Sequence, residues 1–296
     1  MSLEAAVEAP IRDVMIANAR MYSVTPEVGG LWRDLLGKVL AKVDRSIEIV
    51  NHAPPAPISE LWKRPDKAAV FMCGLPYSLA AAQPMLVAAP VPSPAAYGGR
   101  PCYWSDIVVR ADSPYRSLED TFGQRLALTT PESQSGYAAL LYALMPYGGT
   151  QPLYREVIEP RFTPMGAISA VIEKKAEVAP LDSYAFALLR KYAPELTLQV
   201  RVVRSTEATA VPALVASASS PEIATAFLNA GDDVEVGRLM DRLLLECFVR
   251  PEALAYDDLR YRFQEMQAFW RRHPLAETAH PLFAAEVETL GKGKGK

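Results

Sequence analysis

Apolar residues recur along the chain in two alternating rhythms. In VMIANARMYS they run together as in a buried strand, and in the GGLWRDLLGKVLAKV that follows, Leu31, Leu35, Val39 and Val43 return at helical spacing. SIEIVNH returns to a strand, the proline-rich APPAPISE leads into a short helix around ISELWKRP, and KAAVFMCG reads as a short buried strand stopped by Gly74. A strand, helix, strand, helix, strand order predicts parallel strands joined by crossover helices.

The stretch from Pro84 to Tyr103 is punctuated by prolines and glycines, and YWSDIVVRADS after it reads as one extended strand; a crossing between domains fits there. The alternation then restarts. SLEDTF reads as a short helix opened by a Ser-x-x-Asp cap, followed by the strand QRLALTT and the helix GYAALLYALMPYG. Further on, YREVIEPRFT reads as a strand, GAISAVIEKK as a helix, AEVAPLDS as a strand, SYAFALLRKYAP as a helix capped by Ser183, and LQVRVVRSTEA as a strand. After VPALVAS the remainder reads as helical, in SPEIATAFLNAG, DVEVGRLMDRLLLECFV and YDDLRYRFQEMQAFWRRH. The tail GKGKGK reads as disordered.

Composition narrows the class. The chain has 296 residues, half of them apolar and 22% charged, which predicts a soluble globular α/β protein, and the length suits two compact units better than one. Net charge is -3 with Lys and Arg spread evenly, so no concentrated basic face argues for nucleic acid as a partner. The cysteines Cys73, Cys102 and Cys247 are widely spaced and odd in number, which argues against a disulfide framework and leaves one Cys73–Cys102 bridge open. Neither Cys-x-x-Cys nor His-x-x-x-His occurs, and His52, His273 and His280 have no ligand-like neighbours, so no metal site is expected. No run is apolar enough to span a bilayer. The start, MSLEAAVEAPIRDVMIANARMYS, lacks the basic and apolar regions of a secretory signal. The expected compartment is therefore periplasmic if a signal has been removed and cytoplasmic otherwise.

The stretch TTPESQSGYAALLYAL, Thr129 to Leu144, turns from a strand into a helix through small polar residues. Such residues cap helices by accepting from first-turn amides. The same amides, with the helix dipole, can hold an anion. Both readings stand on the residues alone.

Several segments together carry a family likeness: IVVRADS (Ile107 to Ser113), SLEDTFGQRLA (Ser117 to Ala127), SQSGY (Ser133 to Tyr137), VFMCGLPYSLAAA (Val70 to Ala82), AISAVIEKKAEVAPLDSYAFALL, and VRVVRSTEATAVPALVAS. In this order they resemble the phosphonate/sulfonate/transferrin-type substrate-binding proteins of the type 2 periplasmic-binding-protein fold, over roughly Ile16 to Ser217. The resemblance implies a two-lobed α/β architecture, each lobe a mostly parallel sheet flanked by helices, with a helical C-terminus and a ligand cleft between lobes. Lobe one would comprise 1–104 plus 207–296 and lobe two 105–206. It implies hinge closure on a ligand, no cofactor, a monomer that does not itself span the membrane, and the membrane subunits of an ABC transporter as partners.

It also implies site residues. Ser133, Gln134, Ser135, Gly136 and Tyr137, with Thr130 before them, would hold an anionic head at the helix N-terminus. Gly74, Pro76 and Tyr77 follow a strand's carboxyl end, where open α/β sheets place ligands, and Cys73 would line the pocket. Tyr22 and Ser23 end the first strand; Asp182 ends a lobe-two strand, where it either meets an amino group or caps the next helix. One departure stands out: FTPMGAIS carries Pro164 where phosphonate-binding relatives carry a histidine, which admits a less charged or differently shaped ligand. The leading expectation is a solute-binding protein for a small anionic or zwitterionic organic molecule. The alternatives are a cytosolic enzyme on the same fold, similar to menaquinone-biosynthesis dehydratases, with Asp182, Glu132 or Tyr77 as acid or base, and a ligand-sensing module.

Overall fold

The computed structural model describes residues 14–158 and 161–277. The first 13 residues, His280 and the GKGKGK tail lie outside the described residues, as does the middle of YREVIEPRFT. In chain order the strands are β1 (Met15–Asn18), β2 (Ile47–Ile49), β3 (Lys67–Met72), β4 (Met85–Pro92), β5 (Cys102–Tyr103), β6 (Ser105–Arg110) and β7 (Arg125–Ala127). They continue as β8 (Glu156–Ile158), β9 (Val178–Asp182), β10 (Val200–Ser205), β11 (Thr209–Ala210), β12 (Ala213–Ala216) and β13 (Leu245–Val249). The helices are α1 (Pro26–Leu40), α2 (Ile58–Lys63), α3 (Gly74–Leu79), α4 (Ala139–Leu144) and α5 (Pro164–Ile172). After them come α6 (Ser183–Tyr192), α7 (Pro194–Thr197), α8 (Pro221–Leu228), α9 (Val234–Arg242) and α10 (Asp257–Trp270).

These strands build a six-stranded sheet, β13-β4-β12-β3-β1-β2, and a five-stranded sheet, β10-β6-β9-β7-β8. The chain passes between them through β5 and β11, which pair antiparallel as a two-stranded ribbon with Thr209 opposite Tyr103. The expected parallel crossovers are present: β1 runs parallel to β2 and β3, and β7 runs parallel to β8 and β9. Each sheet is nevertheless mixed rather than mostly parallel. The strands beside the crossings, β12 in one sheet and β6 and β10 in the other, pair antiparallel with their neighbours, and β13, reached through α8 and α9, adds antiparallel to β4 at the sheet edge.

Local rules explain most boundaries. Thr25 caps α1 by accepting from the Val28 amide at 3.2 Å, Pro26 stands at its first position, and Val28, Leu31, Trp32, Leu35, Leu36 and Val39 are its buried face. β3 is buried at every position, as a central strand covered on both faces must be. The proline-broken stretch after Pro84 contains a strand, β4, whose residues from Val87 to Pro92 are buried between β12 and β13. SLEDTF makes one 3₁₀ turn, Glu119–Thr121, yet its capping box forms: Asp120 accepts from the Ser117 amide while Ser117 Oγ accepts from the Asp120 amide. α6 is capped by Asp182, not by Ser183.

One expectation about the C-terminal third is corrected. DVEVGRLMDRLLLECFV is not one helix: α9 ends at Arg242, Leu244 adopts a left-handed conformation (φ 57°), and the reversed chain runs back as β13 beside β4. The last helix and the turn before it pack against both cores. Leu259 and Tyr256 join the core under the six-stranded sheet, whereas Phe263, Met266 and Trp270 pack with Leu140, Leu141 and Leu144 in the core of the other. Trp270 Nε1 donates to Leu141 O at 2.9 Å, and Arg260 Nε donates to Ser78 O at 2.7 Å, so α10 straps across both units. The three cysteines are free, which removes the Cys73–Cys102 bridge. No described helix is long and apolar enough to cross a membrane.

Candidate functional site

The ends of β1, β3, β7 and β9 converge between the two sheets on a cavity of about 410 Å³. Asn18, Arg20, Ser23, Trp32, Arg33 and Cys73 reach it from the six-stranded side. Thr129, Thr130, Ser133, Ser135, Gly136 and Asp182 reach it from the other.

β1 ends at Asn18, whose Oδ1 accepts from the Arg20 amide and whose Nδ2 donates to Val50 O, each at 2.8 Å. This turns the chain into a 3₁₀ turn, Arg20–Tyr22, and breaks the in-out alternation of the strand. The turn sends Tyr22 inward. Its ring packs edge-on to Phe71 and Tyr184 and beside Trp32, while Arg20 and Ser23 face the cavity.

On the opposite wall, Ser133 caps the helical segment that follows by accepting from the Gly136 amide at 2.9 Å. Residues Gln134–Ala138 form a π-helical turn in which the Ala138 amide reaches back to Ser133 O at 3.1 Å. Such turns are frequent at functional sites. Gly136 is required there: a Cβ would stand 2.0 Å from Thr129 Oγ1, and the Thr129 amide already donates to Gly136 O at 3.0 Å. The Gln134 amide donates to Cys73 Sγ at 3.3 Å. The expected choice between cap and anion cradle thus has a mixed outcome. The amides of Gln134 and Gly136 are satisfied within the protein, and hydroxyls of Thr129, Ser133 and Ser135 are presented to the cavity.

Asp182 forms the floor. Its Oδ1 accepts from the Tyr184 and Ala185 amides at 2.9 Å each, and its Oδ2 accepts from Ser135 Oγ at 3.5 Å. Burial pushes this carboxyl up to about 7; the two amides and Ser135 pull the other way, and Asp106 adds to the rise. Burial likewise raises the Cys73 thiol.

Two further features set the electrostatics. Trp32 and Thr129 line the cavity from opposite sides, and the buried Trp32 Nε1 and Thr129 Oγ1 have no hydrogen-bond partner among the described residues. Among the described lining residues Asp182 is the sole carboxyl, whereas Arg20 and Arg33 are guanidiniums with no ion-pair partner among the described residues. Arg20 is held by its Nη1 donating to Ala56 O, and burial lowers its pKa while Glu60 raises it. No group of His, Cys, Asp and Glu suited to a metal occurs among the described residues.

Of the residues expected at the site, Ser23, Thr130, Ser133, Ser135, Gly136 and Asp182 come together around the cavity, with Cys73. The others do not. Tyr22 is core. Gly74 opens α3 and lets Leu259 and Tyr256 approach to 2.8 Å of where its Cβ would be; Pro76 and Tyr77 are buried behind it, Tyr77 edge-on to Tyr256 at 5.1 Å. They serve the contact with α10 because the strand passes straight into a helix instead of a loop. Tyr137 lies in the core of the five-stranded unit. Gln134 faces a second cavity of about 260 Å³ behind the helix, shared with Arg204 and Arg262. Pro164 and Met165 do line the main cavity, and the histidine there is His52, from the other wall.

Sequence reasoning missed Arg20, Trp32, Arg33 and Thr129. Trp32 had a signal, since it falls beside the Leu31, Leu35 and Val39 stripe, but periodicity assigns such a residue to the core.

This geometry has close parallels among known folds. A binding-protein component of an ABC phosphonate transporter from Pseudomonas aeruginosa superposes with a TM-score of 0.71 at 17% identity, over 88% of this chain and 87% of that one. PhnD1 from Prochlorococcus marinus, in complex with methylphosphonate, gives 0.71 at 14% identity, over 86% and 98%. XAC2383 from Xanthomonas citri, bound to ATP, gives 0.57 at 20% identity, over 88% and 97%. No curated protein sequence matches the chain. The pattern of the family described as "ABC transporter, phosphonate, periplasmic substrate-binding protein" matches residues 32–256, which take in every described strand except β1 and most of the cavity wall. With motif order, two-sheet topology and cleft position in agreement, the chain belongs to the phosphonate ABC transporter substrate-binding protein family.

Proposed function

We propose that the protein captures a small phosphonate-like organic anion in the cleft and presents it, chemically unchanged, to the membrane subunits of an ABC-type uptake system. The lobes are 1–104 with 207–296, and 105–206, with α10 reaching from the first across to the second. It acts as a monomer. PhnD1 of the same fold was found with methylphosphonate, which supports this ligand class.

The observation that carries the reading is a pair of cavity-lining residues on opposite walls, Trp32 and Thr129, whose buried Nε1 and Oγ1 have no partner among the described residues. A buried donor without a partner costs ~1–3 kcal/mol. An oxyanion that accepts from both walls removes that cost only when the walls are together, so ligand and closure support each other. Arg20 and Arg33, which outnumber the one carboxyl among the described lining residues, Asp182, set the sign of the ligand charge.

The test is a thermal-shift screen with methylphosphonate, phosphate, methanesulfonate and aromatic carboxylates, followed by mass spectrometry of the recovered ligand. A binder of the native state raises the melting temperature by mass action. The expected result is stabilisation by an oxyanion, lost in Ser135→Ala, with the ligand recovered intact. If no oxyanion shifts the melting temperature, the reading is wrong; a consumed ligand points to an enzyme instead.

A further inference from the structure

Resting on that reading, we infer that the preferred ligand is a two-ended acid: an organic phosphonate whose head meets Thr129 and Ser135, and whose apolar body carries a second acidic group to Arg20 and Arg33.

Size is the first argument. A one-carbon phosphonate, even at ~30 Å³ per non-hydrogen atom, fills on the order of 150 Å³. The cavity holds about 410 Å³. Solute sites enclose most of their ligand's surface, so a head group by itself leaves more than half of the space unmatched.

What lines the remaining space is the second argument. Beside the polar Asn51, His52 and Thr163, the lining carries the apolar side chains of Leu36, Ile49, Ile58, Trp62, Phe162 and Met165. Phe162 keeps 55% of its surface exposed at the rim, an apolar side chain placed where an apolar body would cover it. A ligand with an aliphatic or aromatic body gains contact along this stretch.

Charge is the third. Arg45, Arg64, Arg110, Arg125, Arg242 and Arg262 each pair with a carboxylate. Arg20 and Arg33, which line the cavity, have no such pair among the described residues. Arg20 is half-buried and fixed on Ala56 O, and Arg33 lies back along α1, its Nη1 3.8 Å from where a Cβ on Gly29 would be and its Nη2 3.9 Å from one on Gly30. Both come from the six-stranded side. The hydroxyls of Thr129 and Ser135 come from the other, and depth separates them too: these two residues are 6% and 7% exposed, while Arg33 is solvent-exposed. Two sets of donors at different depths and on different walls suit two acidic groups joined by a spacer. A planar carboxylate matches a guanidinium in paired hydrogen bonds.

Calorimetric titration of the full chain with ω-carboxyalkylphosphonates of increasing length, each beside its carboxamide, tests the inference. The readout is the acid-to-amide affinity ratio. At the matching length this ratio is expected to reach about tenfold or more, to decline with salt, and to collapse in Arg33→Gln and Arg20→Gln proteins whose unliganded melting temperature confirms folding. Alkylphosphonates that bind, with acid and amide equal at every length, overturn the inference and leave the proposed function intact. If no phosphonate of any length binds, both fall.

Discussion

The thiol of Cys73, at the end of β3, accepts the backbone amide of Gln134, the first residue of the π-helical turn, at 3.3 Å. This joins the two sheet units at the base of the cleft through a group that is 3% exposed. Replacing it by alanine leaves a buried amide without an acceptor, at ~1–3 kcal/mol. Urea unfolding should show Cys73→Ala less stable by that amount and Cys73→Ser, which keeps an acceptor, intermediate. Hydrogen exchange at the Gln134 amide should accelerate in the alanine protein; equal protection in all three would show the contact to be idle.

Thr129 predicts effects of opposite sign on stability and binding. Its hydroxyl is buried without a protein partner, so the near-isosteric Thr129→Val removes a desolvated group that nothing in the protein satisfies. The unliganded protein should melt at the same temperature or higher. Oxyanion affinity should fall about tenfold, the loss of one buried hydrogen bond at ~1.4 kcal/mol. A valine protein that binds as tightly as the parent would remove Thr129 from the site.

Asp182 makes stability depend on pH in a known direction. Its carboxyl titrates at about 7 in the folded protein, against ~4 in an unfolded chain. Between those values the folded state keeps a proton that the unfolded state has released, so this contribution is greatest below pH ~4, declines through pH ~7, and is flat above. Three units at ~1.4 kcal/mol each bound the effect at about 4 kcal/mol. Asp182→Asn keeps an acceptor for the Tyr184 and Ala185 amides but cannot ionise. The stability of the parent relative to Asp182→Asn should therefore fall as pH rises from 4 to 7, measured by denaturant titration. A difference that does not vary with pH in this range counts against the buried, charge-poor floor.

Trp270 tests the strap. It is 4% exposed at the end of α10 and donates to Leu141 O. Trp270→Ala should cost ~3–5 kcal/mol, as other large-to-small core replacements do, and Trp270→Phe should cost less. Circular dichroism melts report both. If the alanine protein is within ~1 kcal/mol of the parent, α10 is an ornament on the surface and not part of the second core.

Much of this was legible in the residues. The alternation of strand and helix, the restart after Tyr103, and the order of the family segments gave two α/β units joined by a double crossing, and Ser133 and Ser135 were placed correctly at a strand-to-helix turn. Those features depend on neighbours in sequence: periodicity, caps, and glycine where no Cβ fits, as at Gly136. What the chain could not disclose is what each buried face is buried against. The stripe Leu259, Phe263, Met266 and Trp270 announces an amphipathic helix, yet only packing sends its ends to different cores. In the same way, a strand read through Ser23 points Tyr22 at the cleft, whereas the Asn18 hydrogen bonds end it early, turn Tyr22 inward, and bring Arg20 to the cavity with Trp32 and Thr129. Side-chain direction beyond a strand's end and the pairing of distant surfaces are set by contacts between segments far apart in the chain, so tertiary structure alone decided them.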